Sequence, residues 1–449
     1  MKKINVLQVV EDLDLGGAGK NVQTTVKYFD KNIFNVSVCV LVPGGPREKT
    51  IKKMGIKLYN VNRSPEKFAE LIKKREIHVA HFMLGEKRFS IFAKAAIEAG
   101  APAIILLDSM EKQVDPEISK LIERHSVSQM CAFRYKKWYK VSNEEFHKNY
   151  MVAYLPIDVD EIDRFSITTR EILSRRKTLG VGPDDLVLGR IGRPDIGKWS
   201  DALIDMMPYL IKKVPNVKFL IMGAPETKKE EIEKSRLNKH FIFIKTDPSD
   251  KSVIEFLCLI DIFAYSSIGG ESFGRSIAET MACKKPVVVD STPLVDNAQI
   301  ELVDNGKTGF VVYSPNAFAE AIAYLASNRD IAKRMGLAGY AKVKREYEAK
   351  KSTRMLEKRI LELLQAKGVK VPKRILKRYE KIHYFPPREE IDNFGFEYER
   401  RLKDCFGKPD FFKIIISKYI VFSPSMRKFI NSVRLTDFRN FIMKHVGKK

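Results

Sequence analysis

The sequence predicts an α/β protein made of two doubly wound parallel-sheet domains, with a basic, aromatic-rich extension at the C-terminal end. Three observations carry this. Short apolar runs alternate with segments of helical period, the pattern of βαβ units and parallel sheets. The alternation occurs twice along 449 residues, a length that accommodates two or three domains. The composition, 44% hydrophobic and 30% charged, excludes wholesale disorder, and 25 Gly with 20 Pro are too few for a collagen-like or low-complexity chain.

Ile4–Val10 reads as the first strand. The preceding Met1-Lys2-Lys3 superficially resembles a secretory signal, but Gln8 interrupts a short run, and Glu11, Asp12 and Asp14 stand where a small-residue cleavage site belongs. Val36–Val42, Val79–Met83 and Ala103–Leu107 are the next buried strands, with helices expected at Asn21–Phe29 and Phe89–Glu98. The change-over between domains is expected near Tyr154–Arg164, where a proline and four acids break the apolar period. The second block carries strands at Leu186–Ile191, Val217–Met222, Phe241–Ile244, Ile262–Tyr265, Pro286–Val289 and Gly309–Val312, and Ala317–Leu364 is helical with short breaks. Residues 366–449 differ: 21 Lys and Arg against 9 Asp and Glu give this stretch a net +12, half of the chain's +24. The expected divisions are 1–160, 161–345, a helix at 346–369 returning toward the first domain, and the extension 370–449.

No apolar stretch reaches the roughly 18 residues that span a bilayer. The five cysteines are odd in number and scattered, without a CxxC pair or zinc-ligand spacing, as in a reduced cytosolic protein. No HxxxH pair or cysteine cluster offers a metal site.

Two stretches carry chemistry. Gly269–Ala282 follows an apolar strand as a glycine-bearing loop that opens a helix, whose free N–H groups favour an anion or sugar oxygens. Its carboxylates, Glu271 and Glu279, can face one crevice at the strand ends, where open α/β sheets bind ligands; a structural turn with a solvated and a capping Glu is the bland alternative. Upstream, Gly192-Arg193-Pro194-Asp195-Ile196-Gly197-Lys198 places a guanidinium and an ammonium where they can hold a diphosphate, or simply lie on the surface. Gly16-Gly17-Ala18-Gly19-Lys20 fails the P-loop pattern, with Asp14 at its start and Asn21 after the lysine, and the dinucleotide GxGxxG spacing is absent. A plain strand–helix turn and a phosphate contact both remain open there.

Taken together, these stretches resemble the retaining nucleotide-sugar glycosyltransferases of the GT-B fold, family 4. The matching elements are G-R-P-D-x-x-K at Gly192–Lys198, E-S-F-G-x-x-x-x-E at Glu271–Glu279, M-A-x-x-x-P-V-V, and E-L-V-x-N-G-x-T-G at Glu301–Gly309, with Val152–Phe165 similar to the family's inter-domain segment. The resemblance implies two Rossmann-like domains facing across a cleft. It implies that Arg193 and Lys198 hold the donor diphosphate, that Glu279 accepts from the nucleotide ribose and Glu271 from the transferred sugar, and that the backbone of Ser272, Phe273 and Gly274 lines sugar and phosphate. Gly16 and Gly17 would close over the donor phosphate from the acceptor side.

Two departures stand out. Where the family commonly carries an acceptor-cleft histidine, this chain has Asp108, counted here with Glu271, Arg193 and Lys198 as a catalytic candidate; His81 is a second match for a strand-end histidine, or a structural one. Lys284-Lys285 stands where the family has a Gly before Pro286, which is expected to alter a turn.

The expected function is transfer of a hexose, with retention, from a nucleotide-diphosphate sugar to a cytosol-facing glycan or lipid-linked acceptor, with no metal or other cofactor. The alternatives are a catalytically lapsed nucleotide-sugar-binding or scaffold protein, or another nucleotide-sugar enzyme such as an epimerase. The chain is expected in the cytoplasm, peripheral on the inner membrane face. Three readings of residues 370–449 stay open: packing on the first domain, contact with an anionic membrane, or a polyanionic or protein partner. A nucleic-acid role is disfavoured, because no reader module is present and the aromatics do not form a stacking pattern.

Overall fold

The computed structural model describes residues 3–109, 114–245, 247 and 249–420. Seven strands, β1 (Ile4–Val10), β2 (Phe34–Val40), β3 (Lys57–Asn60), β4 (Val79–Met83), β5 (Ala103–Asp108), β6 (Glu123–Ser126) and β7 (Tyr150–Val152), form one parallel sheet in the order β3-β2-β1-β4-β5-β6-β7. The next are β8 (Leu186–Ile191), β9 (Val217–Met222), β10 (Phe241–Ile244), β11 (Ile262–Tyr265), the two-residue β12 (Gly270–Glu271), β13 (Val287–Asp290), the two-residue β14 (Asp296–Asn297) and β15 (Gly309–Val312). Six of them make a second parallel sheet, β10-β9-β8-β11-β13-β15, while β12 and β14 pair with each other beside it. Strand order reverses between β1 and β4 and between β8 and β11, so each sheet has a crevice at its switch point. These are the two Rossmann-like domains of the GT-B fold.

Apolar clusters cover both faces of each sheet. In the first, Val6, Val38 and Ile105 face one layer of helices, and Leu7, Cys39 and Phe82 face the other. Strands buried on both faces read as unbroken apolar runs, which is why β1, β4, β5 and all six strands of the second sheet were legible. Three strands of the first sheet were not. β3 is a half-exposed edge, β7 has only three residues, and β6 is Glu-Arg-His-Ser with all four residues buried. Ion pairs keep β6 inside: Arg359 donates to both Glu123 oxygens (2.6 and 2.9 Å), and Arg124 lies 2.5 Å from Asp108. β2 starts two residues earlier than the apolar run suggested. Lys284 has φ +61°, the left-handed region that favours glycine, so this turn takes a backbone form suited to glycine with a lysine in it.

The chain crosses between domains twice, and the crossings are bonded to each other: Ile157 N–H donates to Tyr347 O (2.7 Å), and Ala349 N–H donates to Ile157 O (2.9 Å). Beyond the second crossing, the helix Ala349–Ala366 buries Leu356, Ile360, Leu361 and Leu364 in the first domain's core, joined by Ile375 and Tyr379 of the helix Lys373–Tyr379.

The extension divides into two parts. Its helix Arg388–Lys403 straps both domains: Phe394 and Tyr398 pack on Phe133 of the first, while Arg401 donates to Ile300 O (2.9 Å) and Tyr313 OH to Leu402 O (2.7 Å) in the second. The charge of this segment is therefore a solvated outer face over a packed inner one. The helix Phe411–Ile420 buries Ile414 and leaves Phe411, Phe412 and Ile415 about half exposed. Phe422 and the remainder of the aromatic-basic segment lie outside the described residues.

Candidate functional site

The carboxyl ends of the two sheets face one another across a cleft of about 290 Å³. From the first domain it is lined by Gly16, Gly17, Lys20 and Arg47; from the second, by Gly192, Arg193, Lys198, Glu271, Arg275, Ser276 and Glu279. The structure thus brings together Gly16, Gly17, Arg193, Lys198, Glu271 and Glu279, residues spread over more than 260 positions of sequence.

Each side chain is placed by local structure. After β8, Asp195 accepts from Lys198 N–H (3.0 Å) and caps the turn Ile196–Lys198, which aims the lysine across the cleft. Its Nζ lies 2.7 Å from Glu271 Oε1 and 3.3 Å from Gly270 O. Buried Arg190, stacked on Trp199, donates to Lys198 O and holds the turn from behind. Arg193 keeps 64% of its side chain exposed, with only Asp195 beside it at 3.3 Å. Gly223, at φ +85°, passes close behind this loop: a Cβ there would sit 1.9 Å from Gly192 O.

Glu271 rides on β12, whose pairing with β14 needs Gly270 at φ +64° to pass Asp296 O. Tyr265 OH donates to Glu271 Oε1 (2.5 Å), the same oxygen that meets Lys198. Burial and the Glu271 charge push the Tyr265 phenol well up, so it stays a donor. Glu279 lies on the helix Arg275–Ala282, whose Ile277 and Met281 are fully buried against the sheet. Burial raises the Glu279 carboxyl above its usual range, and Arg275, 3.6 Å away, partly offsets this.

Two sets of expected residues lie outside this lining. Asp108 does not line the cleft; it ends β5 as the buried partner of Arg124, so its carboxylate is committed to holding β6. Ser272, Phe273 and Gly274 are also absent from the lining. Phe273 is a core residue between Tyr154 and Tyr347, and Gly274, at φ +94°, turns the chain so that Arg275 and Ser276 are presented instead. Gly16 and Gly17 do line the cleft, but a Cβ at either would meet nothing within 4 Å, so the fold itself does not require glycine there. His81 is buried within β4, next to a cavity of about 30 Å³ shared with His125, Asn21 and Ser352. Neither of its ring nitrogens has a partner, and burial, with His125 adding to it, pushes its pKa down to about 3.

Sequence reasoning missed Lys20, Arg47, Asp250 and Arg275, all of which line the cleft. Lys20, one turn after Gly16, and Arg275, between Glu271 and Glu279, were the two with a positional signal. Glu301, quoted as part of a motif, is also not a cleft residue. It accepts from Gln129 N–H (3.1 Å), Met130 N–H (3.2 Å) and Tyr154 OH, capping a first-domain helix from the second domain.

Among the described residues, no three His, Cys, Asp or Glu side chains form a metal-holding group, and no helix is long and apolar enough to cross a membrane.

Residues 173–342 match the family model described as glycosyl transferases group 1. The resemblance read from the sequence is borne out on the domain that carries Arg193, Lys198, Glu271 and Glu279. A trehalose synthase of Thermococcus litoralis is 27% identical over 208 residues, 44% of this chain, and the match spans about half of that enzyme (49%). Among solved structures, a glycosyltransferase from Rickettsia africae ESF-5 superposes with a TM-score of 0.70 at 20% identity, covering 81% of this chain and 100% of that one. Anabaena HepE in complex with UDP-glucose does so at 0.64 and 18% identity, covering 81% and 100%. The fold is shared over about four-fifths of the chain.

Proposed function

We propose that this chain is a retaining hexosyltransferase that takes its sugar from a nucleoside-diphosphate donor bound in the inter-domain cleft and gives it to a glycan or lipid-linked acceptor. The observation that carries the reading is the meeting of Lys198 and Glu271 at the β8/β11 switch point, with Arg193 open beside them: cations for a diphosphate and a carboxylate for sugar hydroxyls, in one crevice. The UDP-glucose bound by HepE, a protein of the same fold, supports a nucleotide-sugar donor.

In this reading Arg193 and Lys198 take up the negative charge that develops on the departing diphosphate, the service a metal performs in other transferases. Glu271, already accepting from Lys198 and Tyr265, serves as a hydrogen-bond acceptor for the transferred sugar, not as a nucleophile; Glu279 receives the ribose hydroxyls. Retention then follows a same-face route in which the leaving phosphate oxygen takes the acceptor's proton. A thermal-shift screen over nucleoside-diphosphate sugars, followed by turnover with the best binder, tests this. Saturable stabilisation with transfer supports it; stabilisation without transfer to any glycan or lipid acceptor favours a lapsed binding protein.

The exposed Phe411, Phe412 and Ile415 favour a second element of the reading: the helix that bears them rests on the cytoplasmic face of a membrane, drawn by the net +12 of residues 366–449. Full-length protein is expected to co-sediment with anionic vesicles and to be released by salt; indifference to such vesicles at low ionic strength refutes it.

A further inference from the structure

A group of buried charges at the cleft has no part in the scheme above. Asp250 opens the helix Asp250–Cys258 of the second domain, and its carboxylate is gripped by the first: Lys20 Nζ at 2.8 Å, Arg47 Nη1 at 2.8 Å and Gln23 Nε2 at 2.7 Å. Gln23 in turn accepts from Arg47 (3.0 Å), and Lys20 also pairs with Glu161. Burial alone would raise the Asp250 carboxyl, but Lys20 and Arg47 hold it down to about 2. One second-domain carboxylate thus bridges two first-domain cations in the space between the domains, and Glu161 supplies the second negative charge that balances them. Independently, Arg275, in the same lining, has Nε and Nη2 buried without a hydrogen-bond partner, and Arg47 Nε is in the same condition. Idle buried guanidinium N–H groups around a cavity call for an acceptor-rich anion.

We propose that Asp250 is an internal substitute for the donor's diphosphate. It occupies Lys20 and Arg47 and latches the domains together. When a nucleoside-diphosphate compound enters, the phosphates take over these two cations along with the free N–H groups of Arg275, and Asp250 swings to solvent, where the first turn of its own helix still favours a negative charge. The exchange is favourable because a diphosphate brings more charge and more acceptor oxygens than one carboxylate. It also screens the cleft, since a ligand without such an anion leaves the latch shut. This inference rests on the reading of the cleft as a nucleotide-sugar site, and assigns Lys20 and Arg47 to the donor.

The test is calorimetric binding of UDP, GDP and ADP, and of the corresponding nucleosides, to the full chain and its variants. Asp250→Asn removes the competitor and is expected to tighten binding of the preferred nucleoside diphosphate by roughly 3- to 10-fold. Lys20→Met and Arg47→Gln are expected to weaken it by about tenfold or more while leaving nucleoside affinity unchanged. Wild-type binding with no tightening in Asp250→Asn overturns the inference alone, because a purely structural latch would lose affinity or show no change. Failure of wild type to bind any nucleoside diphosphate overturns the nucleotide-sugar reading and the inference with it. If Asp250→Asn does not fold, Asp250→Ser is measured instead, and X-ray scattering of wild type with and without nucleotide supplies a second readout: an identical profile at saturation, with Lys20→Met binding as wild type, overturns the latch.

Discussion

Arg193 and Lys198 differ in how far their charges are already committed: the lysine faces Glu271 at 2.7 Å, while the arginine is mostly in solvent. Replacing either with Ala should weaken nucleoside-diphosphate binding by roughly 1–3 kcal/mol, measured by calorimetry. The two carboxylates should separate. Glu279→Gln should lose affinity for the free nucleotide, whereas Glu271→Gln, which releases Lys198, should keep or improve that affinity and lower turnover. A different ionisation is expected at the buried His81. Its folded-state value near 3 lies below the unfolded value near 6.5, so the unfolded chain takes up the proton first as pH falls. Stability is full above about pH 6.5 and is lost progressively down to about 3, by about 2 kcal/mol at pH 5. His125, with Glu123 at 3.5 Å and Arg359 behind it, faces the same region and is itself pushed down by burial. His81→Gln should therefore flatten part, not all, of the acid slope in denaturant titrations.

At the level of elements, the second domain was legible because its strands are apolar on both faces and its two site motifs lie next to strands in sequence. What escaped notice depended on approach in space. Asp250 stands 230 positions from Lys20 and 203 from Arg47, and no spacing rule announces such a triad. β6 escaped because its burial is secured by ion pairs, which leave no apolar trace. The ion pair of Asp108 escaped notice for the same reason: its partner, Arg124, belongs to that unseen strand. Glu301 gives this scale its own test. Its carboxylate caps the helix Gln129–Tyr139 from across the domain boundary, so Glu301→Ala strands two backbone N–H groups and a tyrosine hydroxyl. A loss of about 2–4 kcal/mol in chemical denaturation is expected, with nucleotide affinity little changed in the folded fraction.

Across the whole molecule, the two sheets, the cleft and the doubly bonded crossing at Ile157 and Tyr347 define the architecture, and the extension completes it. Truncation after residue 410 should leave the melting temperature within a few degrees and abolish any vesicle binding. Truncation after residue 369 removes Ile375, Tyr379, Phe394, Tyr398 and Leu402, each worth roughly 1.5–3 kcal/mol of burial, and should yield an aggregating or unfolded product. The first domain's dependence on residues 349–379 also bears on how the protein is made. A nascent chain extended to residue 345 already holds every strand of both sheets, yet Leu356, Ile360, Leu361 and Leu364 have not been added to it. The apolar face that they cover in the first domain stays bare until the helices after residue 349 have been made. The half synthesised first therefore waits on the far end of the chain to mature, and that interval is when a holding chaperone would be needed.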